Sequence, residues 1–205
     1  MSEISPQLVR ELREKTNAGM MDCKRALAEA GGDMVKAEDL LRAKGIASAG
    51  KKASRSAKEG IVASYIHLQG KVGVLVEVNC ETDFVAKNEN FRDLVKDITL
   101  HIAAANPSCV SREQVDPAMV EREKAIYRTQ VEGKPANIVE KIVEGKVDKF
   151  YGTICLMEQP FVKNPDLTIS ELVKAKISEL GENIVIRRFT RYMVGEGVVD
   201  ETPEA

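Results

Sequence analysis

Apolar positions recur at helical spacing through residues 5–44. Leu8, Val9 and Leu12 mark one face of a first helix, with Ser5 as its N-cap and Pro6 at its first position, and Asn17-Ala18-Gly19 breaks it. Met20, Cys23, Leu27 and Ala30 mark a second helix, closed by Gly31-Gly32. Asp33 caps a third, whose apolar face is Met34, Ala37, Leu40 and Leu41. A bundle this short sits near the lower size limit for independent stability, so it must pack small side chains tightly.

The pattern then changes. Residues 45–59 mix small residues with Lys51, Lys52, Arg55 and Lys58, a basic linker that is helical in part. Ile61–Ile66 and Val72–Val78 read as strands around a turn at Gln69-Gly70, and the apolar excess of the second predicts burial on both faces. A polar, acidic connection follows, Glu81–Lys87, with the apolar pair Phe84-Val85 inside it. Phe91, Leu94, Ile98, Ile102 and Ala105 form the next helical stripe, closed by Pro107. Further helices are predicted over 117–132, 136–144 and 170–180, and a last strand from Ile184-Val185-Ile186 to Met193; Thr153–Met157 is a candidate for one more strand. The fold class is α+β, with a helical module at 1–44, the linker at 45–59, a core at 60–197 and an acidic, frayed tail at 198–205.

Composition narrows the function. The 205 residues are 43% apolar and 30% charged, as a folded domain with a real core requires. Aromatics are 4% and Trp is absent, which argues against a stacking platform for single-stranded nucleic acid. A net charge near −2 gives no global field toward phosphate backbones or anionic lipid, so neither nucleic acid nor membrane is an expected partner. No basic start with an apolar core opens the chain, no run of about 18 apolar residues could span a bilayer, and Cys23, Cys80, Cys109 and Cys155 form no close-spaced pair. A cytoplasmic protein with reduced thiols is the expectation.

Chemical motifs are weak. Gly45-Ile46-Ala47-Ser48-Ala49-Gly50-Lys51-Lys52 approaches a phosphate-binding loop, but Lys52 stands where the Mg²⁺-holding hydroxyl belongs and a helix, not a strand, precedes it. His67 and His101 lie in no recognisable nucleophile motif. Glu77, Glu81 and Asp83 could offer a carboxylate site, yet a solvated acidic loop explains them better. Neither a metal, a cofactor nor an enzymatic activity is expected. Arg187, Arg188 and Arg191 either meet an acidic partner or guard a sheet edge, the second being favoured. Taken alone, Phe84 reads as a ring tucked beneath its own loop or as a probe for something outside.

Two stretches decide between these readings. Leu12–Leu27 (LREKTNAGMMDCKRAL) and Val78–Ala86 (VNCETDFVA) resemble the two signatures of the elongation factor Ts family, in the family's order. His101–Pro107, Glu158–Val162 and Gly181–Ile184 extend the similarity to about Gly197. The resemblance implies a translation factor that acts as guanine nucleotide exchange factor for elongation factor Tu, binding it GDP-bound and nucleotide-free. It also implies a three-helix, ubiquitin-associated-like bundle followed by an antiparallel sheet with packed helices. Carried over residue by residue, Thr82, Asp83, Phe84 and Val85 would disturb the partner's Mg²⁺ and phosphate site, while Met20, Met21, Lys24 and His101 would bind the partner. For Met20 the bundle core, and for His101 packing against the sheet, stay open as alternatives. Long members have two core subdomains and an inserted helical hairpin, whereas this chain has room for one core. Short members pair, which implies a homodimer and a 2:2 complex. Thr190 stands where some of them have a cysteine, so the dimer should need no disulfide there. The competing readings are a ubiquitin-associated-like adaptor without exchange activity and a nucleotide-binding enzyme using Gly45–Lys51.

Overall fold

The computed structural model describes residues 4–197 except Asn17, Glu132 and Lys134; the expected acidic tail, 198–205, lies outside the described residues. The helices are α1 (Pro6–Thr16), α2 (Met20–Glu29), α3 (Met34–Lys52), α4 (Asp83–Lys87), α5 (Glu89–Ala105), α6 (Pro117–Thr129), α7 (Ala136–Ile154) and α8 (Ile169–Leu180). The strands are β1 (Glu59–His67), β2 (Val72–Cys80), β3 (Pro160–Phe161), β4 (Asn164–Thr168) and β5 (Val185–Met193). Contacts divide the chain into two units. One joins the amino-terminal stretch through Ile61 to Asn79–Leu94 and Ser170–Val185; the other joins Val62–Val78, Val95–Ile169 and the stretch from Ile186.

In the first unit, α1 to α3 close on Val9, Leu12, Cys23, Ala26, Leu27 and Ala37. Two alanines and a cysteine in so small a core let the helices approach closely. Gly31 and Gly32 turn the chain at φ +63° and +90°, values that suit glycine. Asp33 then caps α3, accepting from the Lys36 amide at 3.1 Å. The basic stretch 45–59 is helical through Lys52, and that lysine reaches the Ile177 carbonyl at the end of α8. The phosphate-loop look-alike therefore lies within α3. A helix interior has its amides bonded along the chain and cannot cradle a phosphate.

In the second unit the sheet order is β1-β2-β5. β5 runs antiparallel to β2, since Val194 at its far end donates to Lys71 before β2 starts, while Arg188 meets Glu77 at 2.7 Å. The expectation of a β2 buried on both faces is corrected. Val72, Val74, Val76 and Val78 are buried, whereas Gly73, Leu75 and Glu77 alternate with them on a more open face. Arg191 crosses from β5 to the Ala103 carbonyl of α5 at 3.4 Å, and Arg187 and Arg188 both pair with Glu77 along this edge strand.

α6 and α7 form a helical hairpin over its own core of Val120, Val131, Val143 and Val147. The resemblance reserved an inserted hairpin for long members; this chain has a hairpin as well. Val143, Val147 and Tyr151 recur every four residues and carry α7 ten residues past the predicted end at 144. The strand considered at Thr153–Met157 is absent for that reason: Thr153 and Ile154 finish α7 and Leu156–Glu158 make one 3₁₀ turn. At the hairpin base, Cys109 and Cys155 pair as an isolated parallel bridge, and Arg112 lies over the Tyr151 ring while it pairs with Asp148 and Glu158.

His101 is fully buried in this unit. Its Nδ1 accepts from the Val162 amide at 3.3 Å, which leaves Nε2 to donate to Gln159 Oε1 at 2.9 Å. Gln159 in turn donates to the Thr153 carbonyl at 2.6 Å. Burial lowers the imidazole pKa from 6.5, and a proton on Nδ1 would face the Val162 N–H. Below about pH 6.5 the unfolded chain binds more protons than the folded one, so stability falls with pH until the lowered folded value is passed. The melting temperature is expected to drop between about pH 7 and 5.5, and less steeply in His101→Gln; equal slopes for the two proteins would refute this.

Candidate functional site

β2 ends at Cys80 and the chain turns into α4 through Thr82, whose backbone is extended (φ −128°, ψ 157°) and whose hydroxyl accepts from the Val85 amide at 3.4 Å. The connection expected to be a polar loop is thus a single helical turn. Successive residues on that turn are separated by 100°. Ala86 is buried and Val85 half-buried, which leaves Asp83, Phe84 and Lys87 outward. Phe84 is 83% exposed, so the ring does not tuck beneath its own segment. Leaving it in water forgoes about 1.5–3 kcal/mol of burial free energy. Asp83 and Lys87 pair across the turn at 2.7 Å, and that lysine's hydrogen bond holds the Asp83 carboxyl below the usual range.

This turn is pinned from behind by the segment between α8 and β5. One carboxylate, Glu182, accepts from the Glu81 amide at 3.1 Å, the Thr82 amide at 3.0 Å and the Thr82 hydroxyl at 2.6 Å. In return, Glu81 accepts from the Asn183 amide at 2.6 Å and faces Arg55 at 3.6 Å. Asn183 is buried and donates to the carbonyls of Ala53 and Arg55 at 3.3 and 2.8 Å. The Cys80 thiol donates to the Thr82 carbonyl at 3.1 Å; burial first, then the Glu182 charge, push its pKa up to about 11, far from that of a reactive thiolate.

The other predicted residues fall in two places. Met20 and Met21, 53% and 66% exposed, share the start of α2 with exposed Lys24 three and four residues on. The predicted apolar face of α2 is corrected at this point, because Cys23, Ala26 and Leu27 are buried while Met20 is not. His101 lies inside the second unit, bonded to Gln159 and the Val162 amide, and offers no surface for direct contact. Glu182, Asn183 and Arg55 were not singled out in the sequence. Gly181–Ile184 carried a family resemblance, but nothing local shows which strand end Glu182 bonds.

Of the three carboxylates considered for a metal, Glu77 pairs with Arg187 and Arg188, Glu81 bonds Asn183, and Asp83 pairs with Lys87. Among the described residues no group of three or more His, Cys, Asp or Glu is arranged to hold a metal ion. No described helix is long and apolar enough to cross a membrane.

Comparison with known proteins agrees over nearly the whole chain. The model of the family described as Elongation factor TS matches residues 47–196. Elongation factor Ts of Alkaliphilus oremlandii is 62% identical over 198 residues, which cover 96% of this chain and 91% of that protein. That of Geotalea daltonii is 60% identical over 197 residues, 95% of this chain and 91% of the relative. Elongation factor Ts of Thermodesulfovibrio yellowstonii is 56% identical over 194 residues, 94% and 97% of the two chains. With both signatures, the α+β architecture and full-length similarity in hand, the chain belongs to the elongation factor Ts family, the translation factors that promote guanine nucleotide exchange on elongation factor Tu.

Proposed function

We propose that α4 is the part of the molecule that dislodges GDP, with Phe84 as a wedge driven between partner side chains beside the Mg²⁺ and phosphate site. The observation that carries this reading is the 83% exposure of Phe84 on a turn held by Glu182. Burying the ring in the partner recovers about 1.5–3 kcal/mol, available to favour a conformation in which Mg²⁺ coordination is broken. Loss of the cation removes the largest local charge on the diphosphate. Thr82 caps the turn, Asp83 brings its carboxylate to the same place and Val85 anchors the turn behind the ring. No covalent bond is made or broken. The coupling is reciprocal, so nucleotide expels the factor as readily as the factor expels nucleotide.

The helical module 1–44 docks on the GTPase domain in this reading, through Met20, Met21 and Lys24, exposed together on α2. Residues 45–59 link it to the exchange core at 60–197. His101 acts from inside, by holding the Gln159–Val162 segment in place. We assign the protein to the cytoplasm, where translation takes place, acting without direct contact to nucleic acid; its net charge near −2 suits this. We also propose that two copies pair through the open face of the sheet and give a 2:2 complex. Val62, Ile66 and Leu75 leave an apolar surface there, with Gly73 beneath Ile66. Thr190 on β5 brings no cysteine to that pairing.

Stopped-flow release of fluorescent GDP from elongation factor Tu tests the wedge. Phe84→Ala is expected to slow release about ten- to a hundredfold, with a melting temperature within about 2 °C of the parent. Unchanged release would overturn the assignment. Light scattering at micromolar concentration tests the pairing: a dimer is expected with and without reductant, and a monomer for Ile66→Glu. A strict monomer for the parent chain would refute it.

A further inference from the structure

We infer that Glu182 is a positioning residue for nucleotide exchange, one that aims Phe84 by fixing the start of α4. A five-residue helix is far below the length at which a helix sustains itself, so its direction must come from outside. Its cap is Thr82, and the Thr82 hydroxyl has two roles: it accepts from the Val85 amide and gives its proton to Glu182 Oε1 at 2.6 Å. The carboxylate thereby sets which lone pair is turned to the helix. Glu182 Oε2 meanwhile takes both amides of the residues that lead into the cap. The return bond from the Asn183 amide to Glu81 makes the clasp mutual, between segments about a hundred residues apart in sequence. Charge-assisted hydrogen bonds to a carboxylate are the strong kind, and three of them converge on one side chain. Glu182 itself is half-buried beneath the turn, whereas Phe84 is the group aimed outward.

This inference rests on the wedge reading, and a double-mutant cycle separates the two. GDP release from elongation factor Tu is measured for the parent, Glu182→Ala, Phe84→Ala and the double variant. Glu182→Ala is expected to slow release about tenfold in the parent but less than about twofold in the Phe84→Ala background, because a misaimed ring and an absent ring fail together. A loss of equal size in both backgrounds would mark Glu182 as merely structural and overturn the inference. No loss on Glu182→Ala, with Phe84→Ala still slow, would do so too while sparing the wedge. Full activity of Phe84→Ala would sink both. Should Glu182→Ala fail to fold, Thr82→Val removes the same hydroxyl–carboxylate bond from the other side and is expected to show the same dependence on Phe84.

A separate observation carries a second inference: the structure assigns Cys109 and Cys155 as a peroxide-responsive disulfide pair at the base of the α6–α7 hairpin. Both are free, their sulfurs are 3.6 Å apart, and their backbones are paired as a bridge. Ser108 donates to the Ile154 carbonyl and Leu156 to the Cys109 carbonyl, so the two segments are already at strand spacing, within disulfide range. Cys109 is half-exposed while Cys155 is buried, so peroxide reaches the Cys109 sulfur first. Hydrogen peroxide takes the Cys109 sulfur to a sulfenic acid, releasing one water. Cys155 then attacks that sulfur; the S–S bond forms, the S–O bond breaks, and hydroxide leaves as a second water with the Cys155 proton. Two thiols are oxidised and one peroxide reduced. Intact mass after hydrogen peroxide treatment is expected to show the loss of two hydrogens, mapped by peptide analysis to Cys109–Cys155. The loss should reverse with dithiothreitol and disappear in Cys109→Ser. Closing this loop should also raise the melting temperature. Oxygen addition without hydrogen loss, or linkage through Cys23 or Cys80, would overturn it.

Discussion

Two carboxylates placed side by side would repel, yet Glu81 and Glu182 sit in adjacent segments and hold them together. Each is satisfied by the other segment's backbone. Glu182 takes the amides of Glu81 and Thr82, and Glu81 takes the amide of Asn183, with Arg55 near enough to offset its charge. Buried or half-buried carboxylates tolerate such places when N–H groups meet their lone pairs. The position of α4 depends on this exchange, because one helical turn has no rigidity of its own. The geometry that presents Phe84 is therefore set by the end of β2 on one side and by the turn after α8 on the other.

The second unit uses polar groups in a similar way but turned inward. Val162, His101, Gln159 and Thr153 form a chain of hydrogen bonds in which each donor meets one acceptor, and the His101 tautomer follows from its neighbours. A fully satisfied buried network of this kind narrows the conformations open to a core otherwise made of interchangeable aliphatic side chains. In the same unit, Val72, Val74, Val76 and Val78 bury one face of β2, and the helical hairpin has its own small core.

How much of this could be read from the sequence depended on range. α1 to α3 were legible because caps and breakers act within four residues: Asp33 on Lys36, Gly31 and Gly32 after α2. Burial of β2 was misjudged because a run of valines hides its parity; Gly73, Glu77 and Asn79 at odd positions were the signal of an open face. The predicted end of α7 falls at 144, just before Gly145, although Val147, Phe150, Tyr151 and Ile154 continue its apolar spacing beyond that glycine. The Phe84 signature was plain in the sequence, whereas its exposure and its support were not. Glu182 meets Thr82 across a hundred residues, and Cys109 meets Cys155 across forty-six. Pairings at that distance exist only once the fold is formed.

The exposure of Phe84 bears on how fast the molecule can work. A ring on a prefolded turn loses little conformational freedom when it meets a partner, and side-chain and loop ordering are among the main costs of association. In the proposed role, the factor would leave each encounter in the shape in which it arrived. A few copies could then serve a large pool of GTPases in succession, with throughput set by collision and dissociation and no recovery step of the factor's own between rounds.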